Sequence, residues 1–322
     1  MRMIGRLLDG MGRWLLLHAP LLGRLYALGL CRRPRSAPTA GWSFAGEFYV
    51  ERQWLALRRG ALWEGALEKG LKVPLVVPWL EKTRIETALG TDTSLCVYVA
   101  GSFEPNEFAF LRRTLRPGMT FVDIGANEGL FTLFAARRVG GSGRVIAVEP
   151  SDRERRILER NIARNSLGNV TVVPHALAAE PGTAELLIAP GRHGLHNTLG
   201  NFIYAYEGEI AVVRQTVAVE TLDGLQERLA LGRTDVIKID VEGAEVKVLT
   251  GGRTLLSRSR PILLVEANED ALKCQGTSTD ALLKLLRALD YRIHIFNEHG
   301  LTEPWTEGRP LSANIVAMPD AD

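Results

Sequence analysis

The sequence has few of the features that mark several large protein classes. It contains only three cysteines, Cys31, Cys96 and Cys274, and no C-x-x-C pair. An odd, scattered set of cysteines is a poor basis for disulfides or for a zinc site. We therefore predict reduced thiols in a cytoplasmic protein. No unit of about 20 to 50 residues repeats, which excludes solenoids and propellers.

The chain also lacks an excess of charge of either sign. Its 39 lysines and arginines nearly balance 37 aspartates and glutamates, and the net charge of +2 favours neither nucleic acid nor acidic partners. There is no N/D-P-P-Y/F motif and no stripe of basic and aromatic residues, so we expect no nucleic-acid binding. Hydrophobic residues make up 46% of 322 positions, which is enough for a substantial globular core.

The N-terminal segment has no uninterrupted apolar run that could span a membrane. Arg13 and Arg24 interrupt its leucines, whereas a spanning helix needs about 20 mostly uncharged residues. Apolar residues before Pro20 recur at helical spacing, which predicts an amphipathic helix rather than a signal peptide. Two interpretations stay open. Residues 2–31 contact the inner face of a membrane peripherally, or the apolar stripe docks on this chain or on a second copy in a homodimer.

From residue 119 onwards, apolar strands alternate with helices. Strands are predicted at Met119–Ile124, Val145–Glu149, Val170–Val173, Asp235–Asp240 and Pro261–Ala267. Helices are predicted at Leu130–Val139, Asp152–Asn165, Ala244–Leu256 and Thr279–Leu289. This alternation indicates an α/β fold with a parallel sheet covered on both faces.

The sequence thus divides into three predicted regions. Residues 1–40 form an amphipathic helical segment and a linker, and residues 119–322 form the α/β domain. Residues 41–118 are a mixed region that could contact a substrate or a second subunit. This region includes two strand-like pieces, VPLVVPWL and SLCVYVA, and the helix-like PNEFAFLRRTLRPG.

A glycine-containing turn, GANEG (125–129), follows the first strand of the α/β domain. No P-loop signature is present, and this turn lacks the middle glycine of a dinucleotide fingerprint and carries a carboxylate that would repel pyrophosphate. Its glycines allow close backbone approach to a ligand, and Asp123 could complement a positive tail. Glu149 could bind both hydroxyls of a ribose. These groups suit S-adenosylmethionine, and a generic βαβ turn with a capping aspartate is the simpler alternative.

A second block, DVIKIDVEGAEVKVLTGG (235–252), places charges in an apolar strand. Lys238 and Asp240 share one face of the strand by alternation. A buried lysine is costly unless its charge is paired or used, so we predict that Asp240 is its partner. A purely structural ion pair remains the alternative. Acidic residues close four predicted strands at the ligand-binding edge of such a sheet: Asp123, Glu149, Asp240 and Glu266.

Together these blocks resemble the FkbM family of S-adenosylmethionine-dependent methyltransferases. VDIGAN-x-G and KIDVEGAE carry the resemblance, which extends over residues 100–297. It implies a class I methyltransferase fold, a Rossmann-like α/β fold with a seven-stranded, mostly parallel sheet, helices on both faces and an N-terminal helical or mixed extension. It also implies the cofactor S-adenosyl-L-methionine and O-methylation of a hydroxyl on a sugar, glycan or natural product.

The resemblance further implies roles for individual positions. The methionine part of the cofactor would lie against Asp123, Gly125, Ala126, Asn127 and Gly129. Glu149 would bind the ribose, His175 and Ala176 would lie near the adenine, and Asp240 near the transferred methyl group.

A hydroxyl acceptor must lose its proton, and the catalytic candidates are Asp240, Glu242, Lys238 and His196. We expect the two carboxylates to position the acceptor, with His196 or Lys238 as the base. No ligand triplet has diagnostic spacing, so no metal is predicted. Two other functions stay open: aminopropyl transfer on the same fold, and a non-catalytic or membrane-docked scaffold.

Overall fold

The described residues of the N-terminal third form helices and a β-hairpin. A computed structural model describes residues 11–31, 53–189, 197–201, 213–297 and 300–320. After helical residues 11–18, the first elements are α1 (Pro20–Gly29), α2 (Gln53–Glu68), β1 (Pro74–Pro78) and β2 (Arg84–Ala88). A helical turn, Asp92–Ser94, then leads into a π-helical segment, Leu95–Ala100.

The remaining elements build the α/β domain. Its strands are β3 (Thr120–Ile124), β4 (Arg144–Val148), β5 (Val170–Val173), β6 (Ala176–Leu177), β7 (Gly182–Ile188), β8 (Val213–Glu220), β9 (Val236–Ile239), β10 (Ile262–Glu266), β11 (Tyr291–Phe296), β12 (Thr302–Pro304) and β13 (Asn314–Pro319). Its helices are α3 (Pro105–Thr114), α4 (Leu130–Val139), α5 (Asp152–Arg164), α6 (Leu222–Arg228), α7 (Glu245–Thr250), α8 (Arg253–Ser259), α9 (Glu269–Cys274) and α10 (Thr279–Ala288).

The central sheet has eight strands in the order β12-β11-β13-β10-β9-β3-β4-β5. The five strands from β10 to β5 run parallel, while β13 is antiparallel to both β10 and β11. The predicted α/β fold with a mostly parallel sheet is therefore confirmed. The short strand β12, paired with the edge of β11, makes eight strands rather than seven. A separate sheet contains β6, β8 and β7.

Apolar side chains cover both faces of the central sheet. Phe121 packs into a core that includes α2, α3 and α4, and its neighbour Val122 packs into a core that includes α6 to α10. Because successive strand residues point to opposite faces, a strand buried on both sides must be apolar throughout. The continuous apolar runs of these strands therefore allowed their prediction from the sequence.

Two predicted elements differ from the structure. The predicted helix Ala244–Leu256 is two helices, since the chain breaks at Gly251, where a Cβ would lie 2.2 Å from the carbonyl oxygen of Ala178. The strand-like SLCVYVA is helical. Thr91 and Ser94, the first residue of this segment, form a capping box, and this local hydrogen bonding starts a helix despite the β-branched residues.

The N-terminal helices dock on this chain through one face. Leu16 and Ala27 are fully buried, and the Tyr98 hydroxyl donates a hydrogen bond of 3.0 Å to the carbonyl oxygen of Ala27. Gly23 permits the close packing, because a Cβ there would lie 2.6 Å from the backbone of Leu16. The opposite face is apolar and exposed at Trp14, Leu21, Leu22 and Leu25. Within the described ranges, the helices are all too short or too polar to cross a membrane.

Asn161 of α5 and Asn165, the residue that follows this helix, hold the free edge of β2. Asn165 accepts a hydrogen bond from the backbone amide of Arg84 at 2.8 Å and donates one to its carbonyl at 2.7 Å. Asn161 accepts from the amide of Glu86 at 2.7 Å and donates to the carbonyl of Glu128 at 2.9 Å. The side-chain amides therefore replace a neighbouring strand and join the N-terminal hairpin to the α/β domain.

Candidate active site

The carboxyl ends of the parallel strands open into a cavity of about 680 Å³. This volume lies in the usual range of ligand pockets, and the position is the one where open α/β sheets bind ligands. As expected from the strand ends, Glu149, Asp240 and Glu266 line it. Asp123 lies just below the wall and is 1% exposed, while its neighbour Ile124 reaches the cavity.

The glycine turn brings the ends of β3 and β9 together. Gly125 has a φ of +81°, and a Cβ on it would lie 1.8 Å from the carbonyl oxygen of Asp240. Gly129 has a φ of +97° and leaves room for Leu158. Both positions therefore require glycine for the fold itself. The turn residues Gly125 to Asn127 line the cavity, as a turn that holds a cofactor must.

Glu149 links the end of β4 to this turn. Its Oε2 accepts a hydrogen bond from the amide of Asn127 and its Oε1 accepts one from the amide of Ser151, both at 2.8 Å. Burial, followed by the nearby carboxylate of Glu154, raises the pKa of Glu149 to about 8. In its ionised form each oxygen keeps a second lone pair, so the carboxylate can accept bonds from two hydroxyls of a ligand.

Lys238 and Asp240 form the ion pair predicted from the strand pattern. The distance from Nζ to Oδ2 is 2.7 Å, and the lysine side chain is almost fully buried, 4.6 Å above the ring of Phe131. Burial opposes the charged form, but Asp240 and Asp123 outweigh it and raise the pKa of Lys238. Asp123 lies beside Lys238 in the β3–β9 register and accepts a hydrogen bond of 2.6 Å from Thr132.

The other sequence candidates are distributed around the cavity. Glu242 lines it in a left-handed conformation, and its carbonyl accepts a bond of 3.1 Å from Thr198. His175 and Ala176 line the wall beyond β5, with His175 Nδ1 3.1 Å from a carboxylate oxygen of Glu220. His196 belongs to residues 190–196, which lie outside the described part of the chain.

A further acidic group was missed by the sequence reasoning. Glu104 lines the cavity from the start of α3, and Asn314 donates hydrogen bonds of 3.1 Å to both Glu104 and Glu107. Burial, then the Glu107 carboxylate, raises the pKa of Glu104 well above its usual range. The only sequence signal was the pair of glutamates in EPNE, because the partner asparagine is 210 positions away.

No metal site accompanies these carboxylates in the part of the chain that the structure describes. There, no three His, Cys, Asp or Glu side chains are placed to hold a metal ion together.

The sheet order, the glycine turn after β3 and the acidic end of β4 define a class I S-adenosylmethionine-dependent methyltransferase fold. A family model described as the methyltransferase FkbM domain matches residues 123–293. The chain belongs to the FkbM methyltransferase family, which confirms the predicted resemblance. S-adenosyl-L-methionine is accordingly its cofactor, and the glycine turn, Glu149 and the cavity provide a fitting site for it.

The chain spans less than two thirds of the length of the following relatives. It is 29% identical over 211 residues to the AMB antimetabolite synthetase AmbE of Pseudomonas aeruginosa, covering 56% of this chain and 10% of that protein. It is 32% identical over 155 residues to the methyltransferase sdnD of Sordaria araneosa, and this match covers 40% of this chain and 59% of that protein. The crystal structure of a methyltransferase FkbM from Methylobacillus flagellatus is similar over 66% of this chain and 51% of the crystallised chain, with a TM-score of 0.40 and 17% sequence identity.

Proposed function

We propose that the protein methylates a hydroxyl group on a sugar, glycan or natural product. The observation that carries the proposal is the contact between the two blocks of the site. Gly125 lies against the backbone of Asp240, so the cofactor turn and the ion pair with Lys238 open into the same cavity. A methyl donor on one side and ionisable groups on the other are what transfer to a hydroxyl requires.

The residues of the turn side would hold the cofactor. Glu149 would accept bonds from the ribose hydroxyls, the wall at His175 and Ala176 would receive the adenine, and the turn 125–129 would face the methionine part. Asp123 would act from below the wall by fixing the end of β3. When bound, S-adenosylmethionine supplies a methyl group that its sulfonium has already activated for attack by an oxygen nucleophile.

The chain must also orient the acceptor and take up its proton. Lys238 is held as an ammonium by Asp240, so we assign it to fixing that carboxylate rather than to accepting a proton. Asp240 and Glu242 border the cavity and would position the hydroxyl, and its proton would pass to a carboxylate there. His196 stays a prediction for the base.

The cofactor assignment is tested at Glu149. We expect Glu149→Gln to weaken binding of S-adenosylmethionine about tenfold or more, because the amide offers the ribose only one acceptor oxygen. Isothermal calorimetry measures this, and Glu159→Gln on the exposed side of α5 is the matched control. Unchanged affinity would refute the role of Glu149.

Transfer itself is tested with labelled cofactor. The acceptors are sugars, lipid-linked glycans and polyketide alcohols, and the product is analysed for a new methyl ether. Label found on carbon or nitrogen would replace the O-methyl assignment.

We further infer that the outer face of the N-terminal helices contacts a membrane surface peripherally. Leu21, Leu22 and Leu25 are 70%, 53% and 57% exposed beside Trp14, and an interfacial helix carries such residues on its lipid side. Replacing the three leucines with serine should abolish flotation with anionic vesicles and leave the fold intact. If flotation is unchanged in this variant, the outer face does not bind the membrane. Self-association of the wild type through this face, seen in sedimentation, would instead indicate an interface between copies of the chain.

A further inference from the structure

The cavity has a second half, away from the glycine turn, which we call the acceptor half. It is bounded by the start of α3 and by the ends of β9, β10 and β13. Its acidic side chains are Glu104, Glu107, Asp240, Glu242 and Glu266. Among the described residues that line it, Lys238 is the only lysine or arginine.

Lys238 does not balance this group of carboxylates. Its ammonium already lies 2.7 Å from Asp240 and beside the buried Asp123 in the neighbouring strand. The hydrogen-bond donor that reaches Glu104 and Glu107 is the neutral amide of Asn314. An amide satisfies an oxygen atom but contributes no positive charge, so the acceptor half holds several carboxyl groups and no free cation to balance their charge when they ionise.

Three acceptor oxygens in this half have no donor. Oε2 of Glu104, Oδ1 of Asn106 and Oε2 of Glu266 are buried and lack a hydrogen-bond partner within the described part of the chain. Such atoms cost free energy unless a ligand satisfies them. Burial, then Asp240 and Glu242, raises the pKa of Glu266 well above its usual range, which reflects how closely the carboxylates are gathered.

The fold brings the residues that carry these oxygens to one wall of the cavity. Glu266 is paired with Asn314 in the β10–β13 register, and Asn314 in turn bonds to Glu104. Asn106 follows Glu104 by two residues at the start of α3 and lines the same wall.

We propose that the acceptor molecule carries a protonated amine, which binds between Glu104 and Glu266 while its hydroxyl faces the methyl donor. An ammonium offers three hydrogen-bond donors and a positive charge, which matches three orphan oxygens in an acidic wall. The same wall offers a phosphate group no free cation, so we expect sugar nucleotides and phosphorylated acceptors to bind poorly. This inference rests on the proposed methyltransferase function.

The test uses the whole chain saturated with S-adenosylhomocysteine, with EDTA present so that no metal competes. The probes are 2-amino sugars and amino alcohols, each compared by calorimetry with its own N-acetyl derivative and its phosphate ester. The amine and its N-acetyl derivative share every hydroxyl and differ in charge, whereas the phosphate ester replaces one hydroxyl with a negatively charged group. We expect the amine to bind at least tenfold more tightly than its acetamide at pH 7, and the phosphate ester not to bind.

Two variants and one control test whether Glu104 and Glu266 cause the preference for the amine over the acetamide. Glu104→Gln and Glu266→Gln should each reduce the ratio of amine to acetamide affinity about tenfold, whereas Glu227→Gln on the exposed face of α6 should preserve it. Amine binding should also release protons, seen as a heat that depends on the buffer, because a nearby cation lowers the pKa of the carboxyl groups.

The inference is overturned if acetamides or phosphate esters bind as tightly as amines, or if no amine binds. Binding of S-adenosylhomocysteine, measured first in the same calorimeter, separates this from failure of the proposed function. A protein that binds the cofactor product but shows no amine preference refutes the acceptor assignment alone. Loss of that binding in a variant would instead indicate damage to the cofactor site.

Discussion

Glu149 shows how a buried carboxyl group couples the site to pH. Its folded-state pKa of about 8 lies above the ordinary value of 4.5 because the side chain is buried and Glu154 is near. Between these two values the folded chain holds a proton that the unfolded chain has lost. The free energy of unfolding therefore falls as pH rises from about 5 to 8, by up to ~1.4 kcal/mol per pH unit from this group.

Replacement of Glu149 by glutamine should remove this share of the pH dependence. We expect the stability of Glu149→Gln relative to wild type to increase as pH rises from 5 to 8, because the amide does not titrate. Urea denaturation at four pH values measures the difference, with Glu159→Gln as an exposed control. A difference that stays constant with pH would contradict the raised pKa.

Gly125 is the residue least able to accept a side chain. A methyl group would meet the carbonyl oxygen of Asp240 at 1.8 Å, and the φ of +81° adds strain. Gly125→Ala should lower the free energy of unfolding by about 2–4 kcal/mol. Gly168→Ala, at an exposed glycine with open space around its Cα, should change it by less than about 0.5 kcal/mol in the same denaturation assay. Equal effects would mean that the turn can move.

At the scale of elements, the buried parallel strands were the most predictable part. The helix Leu130–Val139 matches its predicted bounds because its many buried residues leave a strong apolar pattern. The strand Val170–Val173 at the edge of the sheet also matches, although only Val173 is buried there. The break at Gly251 depends on contact with Ala178, far away in the chain. The only sign of this contact in the sequence is the pair Gly251-Gly252, and because continuous helices can also contain such a pair, the break could not be predicted.

The close crossing at Gly23 should control how firmly the N-terminal helices dock. Gly23→Val would place side-chain atoms against the backbone of Leu16, so we expect trypsin to cleave after Arg24 several-fold faster. Gly29→Val, where the space around Cα is open, should be cleaved like wild type. Affinity for S-adenosylhomocysteine should not change. Equal cleavage rates in the two variants would show that the crossing is loose.

For the whole molecule, the sequence identified the parts of the site that lie in continuous motifs. The turn 125–129 and the pair Lys238–Asp240 each lie within one strand and its following loop, so spacing alone could indicate them. The group of Glu104 and Asn314 could not be found this way. Its members come from the first helix and the last strand of the domain, and only the folded sheet brings them together.

Asn161 should affect both the stability of the chain and the cofactor site. Asn161→Ala removes bonds to the amide of Glu86 and to the carbonyl of Glu128, at an expected cost of about 2–3 kcal/mol. It should also weaken binding of S-adenosylhomocysteine, because Glu128 belongs to the glycine turn. Asn165→Ala, which loses its bonds to Arg84, should destabilise similarly but bind normally. Denaturation and calorimetry test this, and equal losses of affinity in both variants would contradict it.

The asparagine pair also limits how this protein can be recombined with its relatives. A chimaera with a foreign hairpin would keep these bonds only if its second strand brought main-chain groups to the same positions beside Asn161 and Asn165. Exchange of the N-terminal region between family members should therefore succeed best when α5 and Asn165 are exchanged with it. The hairpin and that helix should therefore be exchanged together, although about 75 residues separate the bonded residues in the sequence.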